Sequence, residues 1–227
     1  MSGPAIELDP GARAALETVL ALLAEERASV SSVRDRDQAW KVHVQDSLTG
    51  LEVESLRTAR RIADIGSGAG FPGLVLAVAL PQAQVELIES VGRKCEFMRR
   101  AAGEAGIANA EPVSARSEEL AAGARRERFD AVTARAVGRL STLAELASPL
   151  LRDGGVLVAW KGRRDPEEEA ELERAAAGLA MVPERILAVG PYAGSRHRHL
   201  HVLRKRGETP ADLPRRPGMA KKRPRGN

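Results

Sequence analysis

Ten consecutive residues, Asp64-Ile65-Gly66-Ser67-Gly68-Ala69-Gly70-Phe71-Pro72-Gly73, are of types and spacing that could do chemistry. A short apolar strand, Arg61-Ile62-Ala63-Asp64-Ile65, carries a carboxylate near its end and runs directly into glycines. Glycines allow a sharp turn and let backbone approach a ligand with no Cβ in the way. The helix that follows presents unpaired N–H groups. The spacing fits two templates. Gly68, Gly70 and Gly73 satisfy the G-x-G-x-x-G dinucleotide fingerprint. Asp64, Gly66, Gly68 and Gly70 satisfy D-x-G-x-G-x-G, the loop of class I S-adenosylmethionine (SAM) methyltransferases. Glu89, at the end of the next strand, does not separate the two, because either cofactor offers ribose hydroxyls to an acid there. Asp64 before the first glycine and an antiparallel-looking pair of C-terminal strands favour SAM. A bare strand–helix turn has no need of four glycines and a proline in eight residues.

Other reactive types are few. Cys95 is the single cysteine, which excludes an intramolecular disulfide and a zinc site built on several thiolates. Its place inside a helical pattern beside Glu96 reads as core rather than nucleophile. The stretch after the fourth strand reads Ala134-Arg135-Ala136 and not the Asn- or Asp-Pro-Pro-aromatic loop used on exocyclic amines. Arg135 ends that strand on the ligand side of such a sheet and suits a carboxylate or phosphate. His43 and Asp46 are spaced to pair along a helix, a structural role in the first instance. His197, His199 and His201 alternate and so face one side of a strand. Arg196 and Arg198 between them favour an RNA-facing or solvated strand over a metal site, and no metal is expected.

The elements that must position these groups alternate. Asp9-Pro10 opens a helix running to Arg27, and Asp35 or Asp37 opens a second through Trp40, Val44 and Leu48. Strands follow at 61–65, 85–89, 111–113, 129–134 and 156–160, with helices between them. An acidic helix at 166–179 precedes two last strands near 182–189 and 199–203. The pattern predicts an α/β fold. It is a Rossmann-like, mostly parallel seven-stranded sheet with helices on both faces, preceded by an N-terminal helical element. The expected divisions are 1–55 helical extension, 56–206 SAM-binding core and 207–227 basic Pro-rich tail.

The 227 residues carry a net charge of +4, unevenly spread. From Arg204 to Asn227 nine basic residues face only Glu208 and Asp212, which leaves the rest of the chain at −3. Four prolines make that tail extended and poor in helix, and a polyanion its natural partner. No apolar run reaches the roughly 18 residues of a membrane span, and Met1-Ser2-Gly3-Pro4 does not open a signal peptide. A cytoplasmic monomer without membrane contact is expected. Aromatic residues make up 3% of the chain, too few for an evident stacking platform for single strands.

The decade from Asp64 to Gly73 closely resembles the loop of the RsmG (GidB) family. Val33-Arg34-Asp35, His43 and Asp46-Ser47-Leu48 are similar to its N-terminal part. Glu89-Ser90, Gly92-Arg93-Lys94 and Phe97 follow in family order, then Arg116-Ser117-Glu118-Glu119 and Thr133-Ala134-Arg135-Ala136. Lys161-Gly162, Arg198-His199-Leu200 and Pro214-Arg215-Arg216-Pro217-Gly218 complete a match over about 29–224. Ser29-Val30-Ser31-Ser32 departs from it, standing where the family carries Asn-Leu-Thr preceded by tryptophan.

The resemblance implies SAM-dependent methylation of N7 of one guanine, guanine 527 in the 530 loop of bacterial 16S rRNA. Naked rRNA and an assembling 30S subunit are both possible substrates. It implies cofactor contacts from Asp64, Gly66, Gly68, Phe71, Glu89, Ser117, Glu118 and Arg135. Phe71 would wall the pocket, and Ser117 and Glu118 would meet the adenine. Arg135, Lys161 and Arg198 are positioning candidates, and no catalytic residue is assigned. RNA contacts are expected from Lys161, Arg196, Arg198, Arg204, Lys205, Arg215, Arg216, Lys221 and Lys222. Trimming beyond Arg206 should then weaken RNA binding and leave SAM binding intact. A methyltransferase for another RNA, a small molecule or a protein, and an RNA-binding module without activity, remain as alternatives.

Overall fold

A computed structural model of the chain describes residues 7–26 and 35–226. The Ser29–Ser32 departure and Val33-Arg34 lie outside the described residues. Helix α1 (Pro10–Glu25) starts at the expected cap. Asp9 accepts a hydrogen bond from the Ala12 N–H at 2.9 Å, and Pro10 sits where its missing N–H leaves nothing unpaired. The second helix is composite. After the Asp35 cap, α2 (Arg36–Ala39) passes into a π-helical segment, Trp40–Gln45, and then into α3 (Asp46–Leu48). A 3-10 turn leads on to α4 (Glu54–Arg57).

Seven strands form one sheet: β1 (Arg61–Ile65), β2 (Gln84–Glu89), β3 (Ala110–Ser114), β4 (Phe129–Arg135), β5 (Leu151–Lys161), β6 (Met181–Ala188) and β7 (His199–Lys205). Their order is β3-β2-β1-β4-β5-β7-β6. The first five are parallel, and β7 is antiparallel to both β5 and β6. The chain winds outward from β1 to β3, then restarts at β4 on the other side of β1. A crevice therefore opens at the carboxyl ends of β1 and β4, where ligands of such sheets bind.

The covering helices are α5 (Gly73–Ala79), α6 (Gly92–Glu104), α7 (Ser117–Ala121), α8 (Leu140–Ala147) and α9 (Pro166–Ala176). Two apolar layers follow from strand alternation. Ile62, Val156 and Val158 face the layer of Leu16, Leu20, Leu74 and Phe97 from α1, α5 and α6. Ile65, Val132 and Leu157 face Leu143 and Leu172 of α8 and α9. Helix α1 thus belongs to the body of the sheet's core and is not an appendage, because its buried stripe has no other partner. Cys95 is buried and donates to the Glu89 carbonyl at 3.2 Å, as a core residue does. Among the described residues no helix is long and apolar enough to cross a membrane.

The basic C-terminus departs from expectation. It folds back along the sheet and ends in a short helix, α10 (Met219–Lys222), with Leu213 and Ala220 buried. Its cations are drawn to carboxylates of the body. Arg215 makes a two-pronged contact with the buried Glu145, at 2.6 and 2.5 Å, and Arg126 donates to the Leu213 carbonyl at 2.9 Å. Arg225 meets Asp212. Part of the segment's positive charge is thereby met by carboxylates of the body, while Arg216, Lys221 and Lys222 stay exposed.

His201 also departs from the solvated strand face read from its spacing. It is buried under α9, and burial lowers its pKa to about 4. Its folded-state pKa lies below the ordinary 6.5, so the unfolded chain binds the extra proton first. Stability is lost as pH falls from about 6.5 to about 4. His201→Gln should flatten that part of the urea-midpoint profile; a profile identical to wild type would show that His201 does not titrate in this window.

Candidate cofactor cleft and adjoining cavity

Asp64 sits within β1, fully buried, with both carboxylate oxygens occupied. The Gly73 N–H donates to Oδ2 at 3.1 Å and the Thr133 hydroxyl to Oδ1 at 2.8 Å. Burial raises its pKa to about 6, against the pull of those hydrogen bonds and of Arg135. A bridge of this kind fixes the glycine loop to β4. The loop is also pinned to β2, where the Gly66 and Ser67 N–H groups donate to the Ile88 carbonyl at 2.8 and 3.2 Å. Gly66 has φ +65°, and a Cβ there would stand 2.6 Å from Val137. Only glycine serves this turn.

The turn opens a cleft of about 420 Å³, lined by Gly66, Glu89, Ser117 and Glu118 and closed opposite by Val137 and Leu146. Glu89 is nearly buried. Its Oε2 accepts from the Gly68 N–H at 3.1 Å, its Oε1 from the Val91 N–H at 2.9 Å, and Lys94 stands 3.7 Å away. Gly68 therefore holds Glu89 rather than lining the cleft. The C-terminal segment contributes a wall: Gly218, Ala220 and Lys221 line the cleft. The Gly218 N–H donates to Glu118 Oε1 at 2.8 Å, and Thr142 donates to the Ala220 carbonyl at 3.3 Å. The segment beyond Arg206 thus borders the cleft, which makes the expectation that trimming it leaves SAM binding intact a question for experiment.

A second cavity, of about 190 Å³, adjoins the cleft at Ala136. Asp46, Arg135, Trp160, Lys161, Arg198 and His199 surround it. Ala136 has φ +58°, a strained conformation for a side chain with Cβ, at the point where the two spaces meet. Arg135 Nη1 donates to Asp46 Oδ2 at 3.1 Å and to the Val42 carbonyl at 3.0 Å, and Nη2 lies 3.4 Å from His43 Nδ1. His43 stacks on Phe71 with ring centres 4.6 Å apart. Burial, then the Arg135 charge, lowers its pKa to about 4, so the ring is neutral at neutral pH. The His43–Asp46 spacing was legible as a helical pair; that Arg135 joins them was not.

Several sequence expectations are corrected by this geometry. Asp64 shapes the loop and has no face toward the cleft, because its oxygens are spent inside the protein. Phe71 is buried against His43 on the side of the N-terminal helices. Arg135 turns from the cleft to Asp46, the nearer carboxylate. Lys205 is fully buried, donating to Glu127 at 2.6 Å and to the Leu151 carbonyl at 2.8 Å, and cannot reach a phosphate. Arg204 is paired with Glu184, and Arg215 with Glu145. Lys161 donates to Glu168 at 2.6 Å while keeping a side on the cavity. Arg196, Arg216, Lys221 and Lys222 are exposed, and Arg198 is partly so.

The cleft fits SAM. An acid held ready at the end of β2 can take ribose hydroxyls, and the Gly66 turn lets backbone approach where a Cβ has no room. The Ser117 hydroxyl, which donates to Glu118 Oε2 at 3.2 Å, and the accepting Glu118 carboxylate line the cleft where an adenine edge with its amino group would fit.

Comparison with known proteins bears on both spaces. The family model described as rRNA small subunit methyltransferase G matches residues 14–200. A Ribosomal RNA small subunit methyltransferase G of Rubrobacter xylanophilus is 45% identical over 92% of this chain and 81% of its own. Its namesake from Deinococcus radiodurans is 41% identical over 91% and 83%. Among solved structures, a SAM-dependent O-methyltransferase of Thermotoga maritima matches with TM-score 0.58 at 14% identity, over 84% of this chain and 72% of that one. A protein of Agrobacterium tumefaciens described as a predicted O-methyltransferase matches with TM-score 0.56 at 27% identity, over 74% and 81%. These likenesses show the class I SAM-dependent methyltransferase fold.

Two changes test the cleft by calorimetric titration with SAM. Gly66→Ala should abolish binding, through strain and the Val137 clash. Arg215→Ala leaves the buried Glu145 with only Arg225, 3.9 Å away, costs about 2 kcal/mol of stability, and should weaken SAM binding as the Gly218–Lys221 wall loosens. SAM affinity unchanged in Arg215→Ala would show that the C-terminal wall is dispensable.

Proposed function

The chain belongs to the rRNA small subunit methyltransferase G family, and on that premise we propose that it methylates N7 of a single guanine, guanine 527 in the 530 loop of bacterial 16S rRNA. It is a SAM-dependent methyltransferase. The observation that carries the finer reading is the joining of two spaces at Ala136: a cleft with a ribose-binding acid and a cationic cavity beside it.

Bound in the cleft, SAM supplies a methyl group on a sulfonium, open to in-line attack. Glu89 would hold the ribose and Gly66 the methionine part, with Ser117 and Glu118 against the base. The acceptor would enter the neighbouring cavity. Guanine N7 carries a lone pair and no proton at neutral pH, so no side chain has to remove one there. What the chain contributes is alignment and exclusion of water. This suits a site whose histidine is neutral and stacked. N7 faces the deep groove of paired RNA, so the target base must be unpaired or exposed. The partly exposed Arg198 and the exposed Lys221 line the two spaces, and with the exposed Arg196, Arg216 and Lys222 they support phosphate contacts.

The direct test is transfer of labelled methyl from SAM to small-subunit RNA lacking the modification, given both as free 16S rRNA and as 30S particles. Reduction and aniline cleavage should cut at one guanine in the 530 loop. Label on another atom or base would refute the proposal, and the better of the two substrates identifies the natural one.

Phosphate contacts have a separate signature. Replacing Lys221 and Lys222 by alanine should lower RNA affinity and reduce the slope of log K on log salt by about 1 to 2. Lys205→Met should leave the slope unchanged, since that ammonium is spent inside the protein.

A further inference from the structure

The cavity beside the cofactor cleft holds an atom that the reading above leaves unused. Asp46, at the start of α3, is 4% exposed and lines the cavity. Its Oδ2 accepts from Arg135 at 3.1 Å, while its Oδ1 is buried and accepts no hydrogen bond. The nearest cation to Oδ1 is Arg198 Nε at 3.8 Å, beyond hydrogen-bond reach. A buried carboxylate oxygen left without a donor costs free energy, and natural proteins rarely keep one without use.

The cavity wall narrows the chemistry of a ligand that would pair with Oδ1. Arg135, Lys161 and Arg198 offer donors, and the Trp160 indole N–H is already given to the Asp46 carbonyl at 2.8 Å. His199 Nδ1 is engaged with the Gly162 carbonyl at 2.8 Å. Asp46 carries the only carboxylate among the lining residues. A ligand matching this wall presents an N–H donor toward Asp46. Guanine's Watson–Crick edge does so twice, at N1–H and at the N2 amino group. Adenine puts a lone pair at N1, which a carboxylate repels.

We propose that Asp46 is the specificity-determining residue for the acceptor base, its Oδ1 accepting a hydrogen bond from the Watson–Crick edge of guanine. This rests on the guanine reading above. A purine held by that edge turns its five-membered ring, and with it N7, away from Asp46. Oδ2 meanwhile keeps Arg135 at the mouth shared with the cleft. One carboxylate would both read the base and fix the arginine beside it.

The test uses the full chain and three substrates with guanosine, inosine or 2-aminopurine at the target position. Inosine lacks the N2 amino group, and 2-aminopurine lacks N1–H. Wild type should lose about tenfold or more in kcat/KM on at least one analogue, the worth of a hydrogen bond to a charged group. In Asp46→Ala, kcat/KM on guanosine should fall while that discrimination disappears. Asp46→Asn, the conservative variant, should retain the Arg135 contact and also lose discrimination. SAM affinity, measured alongside, should stay at the wild-type value in both variants. Equal discrimination in wild type and variants would overturn the proposal, leaving Asp46 only a brace for Arg135. Failure of wild type to methylate the guanosine substrate would instead refute the guanine reading itself.

Discussion

The buried carboxylate of Asp64 is the constraint on which the rest of the site depends. It is wholly removed from water, and its two hydrogen bonds join three elements: β1, the start of α5 through Gly73, and β4 through Thr133. A charge in that position is tolerated because both oxygens are engaged. In exchange the loop cannot drift. Gly73 has no room for a Cβ against Leu87 and Asp64, so the helix begins hard against the strand. With the loop so fixed, Gly66 turns its backbone to the cleft floor, and Gly68 is left to hold Glu89.

A second carboxylate organises the other half. Asp46 draws Arg135 off the end of β4 and ties the N-terminal helical layer to the sheet. His43 and Phe71 complete that contact as neutral, stacked rings. The N-terminal helical layer thereby contributes Asp46 to the wall of the second cavity as well as side chains to the apolar core. The π-helical segment Trp40–Gln45 lies immediately before Asp46, in the stretch that must deliver His43 and Asp46 to one place.

Several of the cations expected to meet RNA are spent inside the protein. The strongly basic C-terminus finds carboxylates on the body, Glu145 for Arg215 and Glu127 for Lys205, while Arg225 meets Asp212 within the segment itself. Arg196, Arg216, Lys221 and Lys222 stay exposed, and Lys221 stands at the cofactor cleft. The C-terminal segment lines the cofactor cleft through Gly218 and Lys221 and carries the exposed Arg216 and Lys222 beside them in sequence.

Much was legible in the sequence. Alternating apolar strands and helices are a local record of two-sided burial, so the seven strands, their approximate bounds and the Rossmann-like class could be read along the chain. The glycine loop and Glu89 were legible because a tight turn beside a ligand restricts residue type as well as position. Tertiary structure alone decided where long charged side chains go. Arg135, Lys205 and Arg215 carry the same charge in sequence, but whether each meets solvent or a buried carboxylate depends on partners tens of residues away: Asp46, Glu127 and Glu145. Asp64 and Phe71 read as ligand contacts because sequence places them in the loop without saying which way they face. Burial turned both inward, and it left Asp46, an ordinary helix residue by pattern, lining the cavity with one carboxylate oxygen that accepts no hydrogen bond.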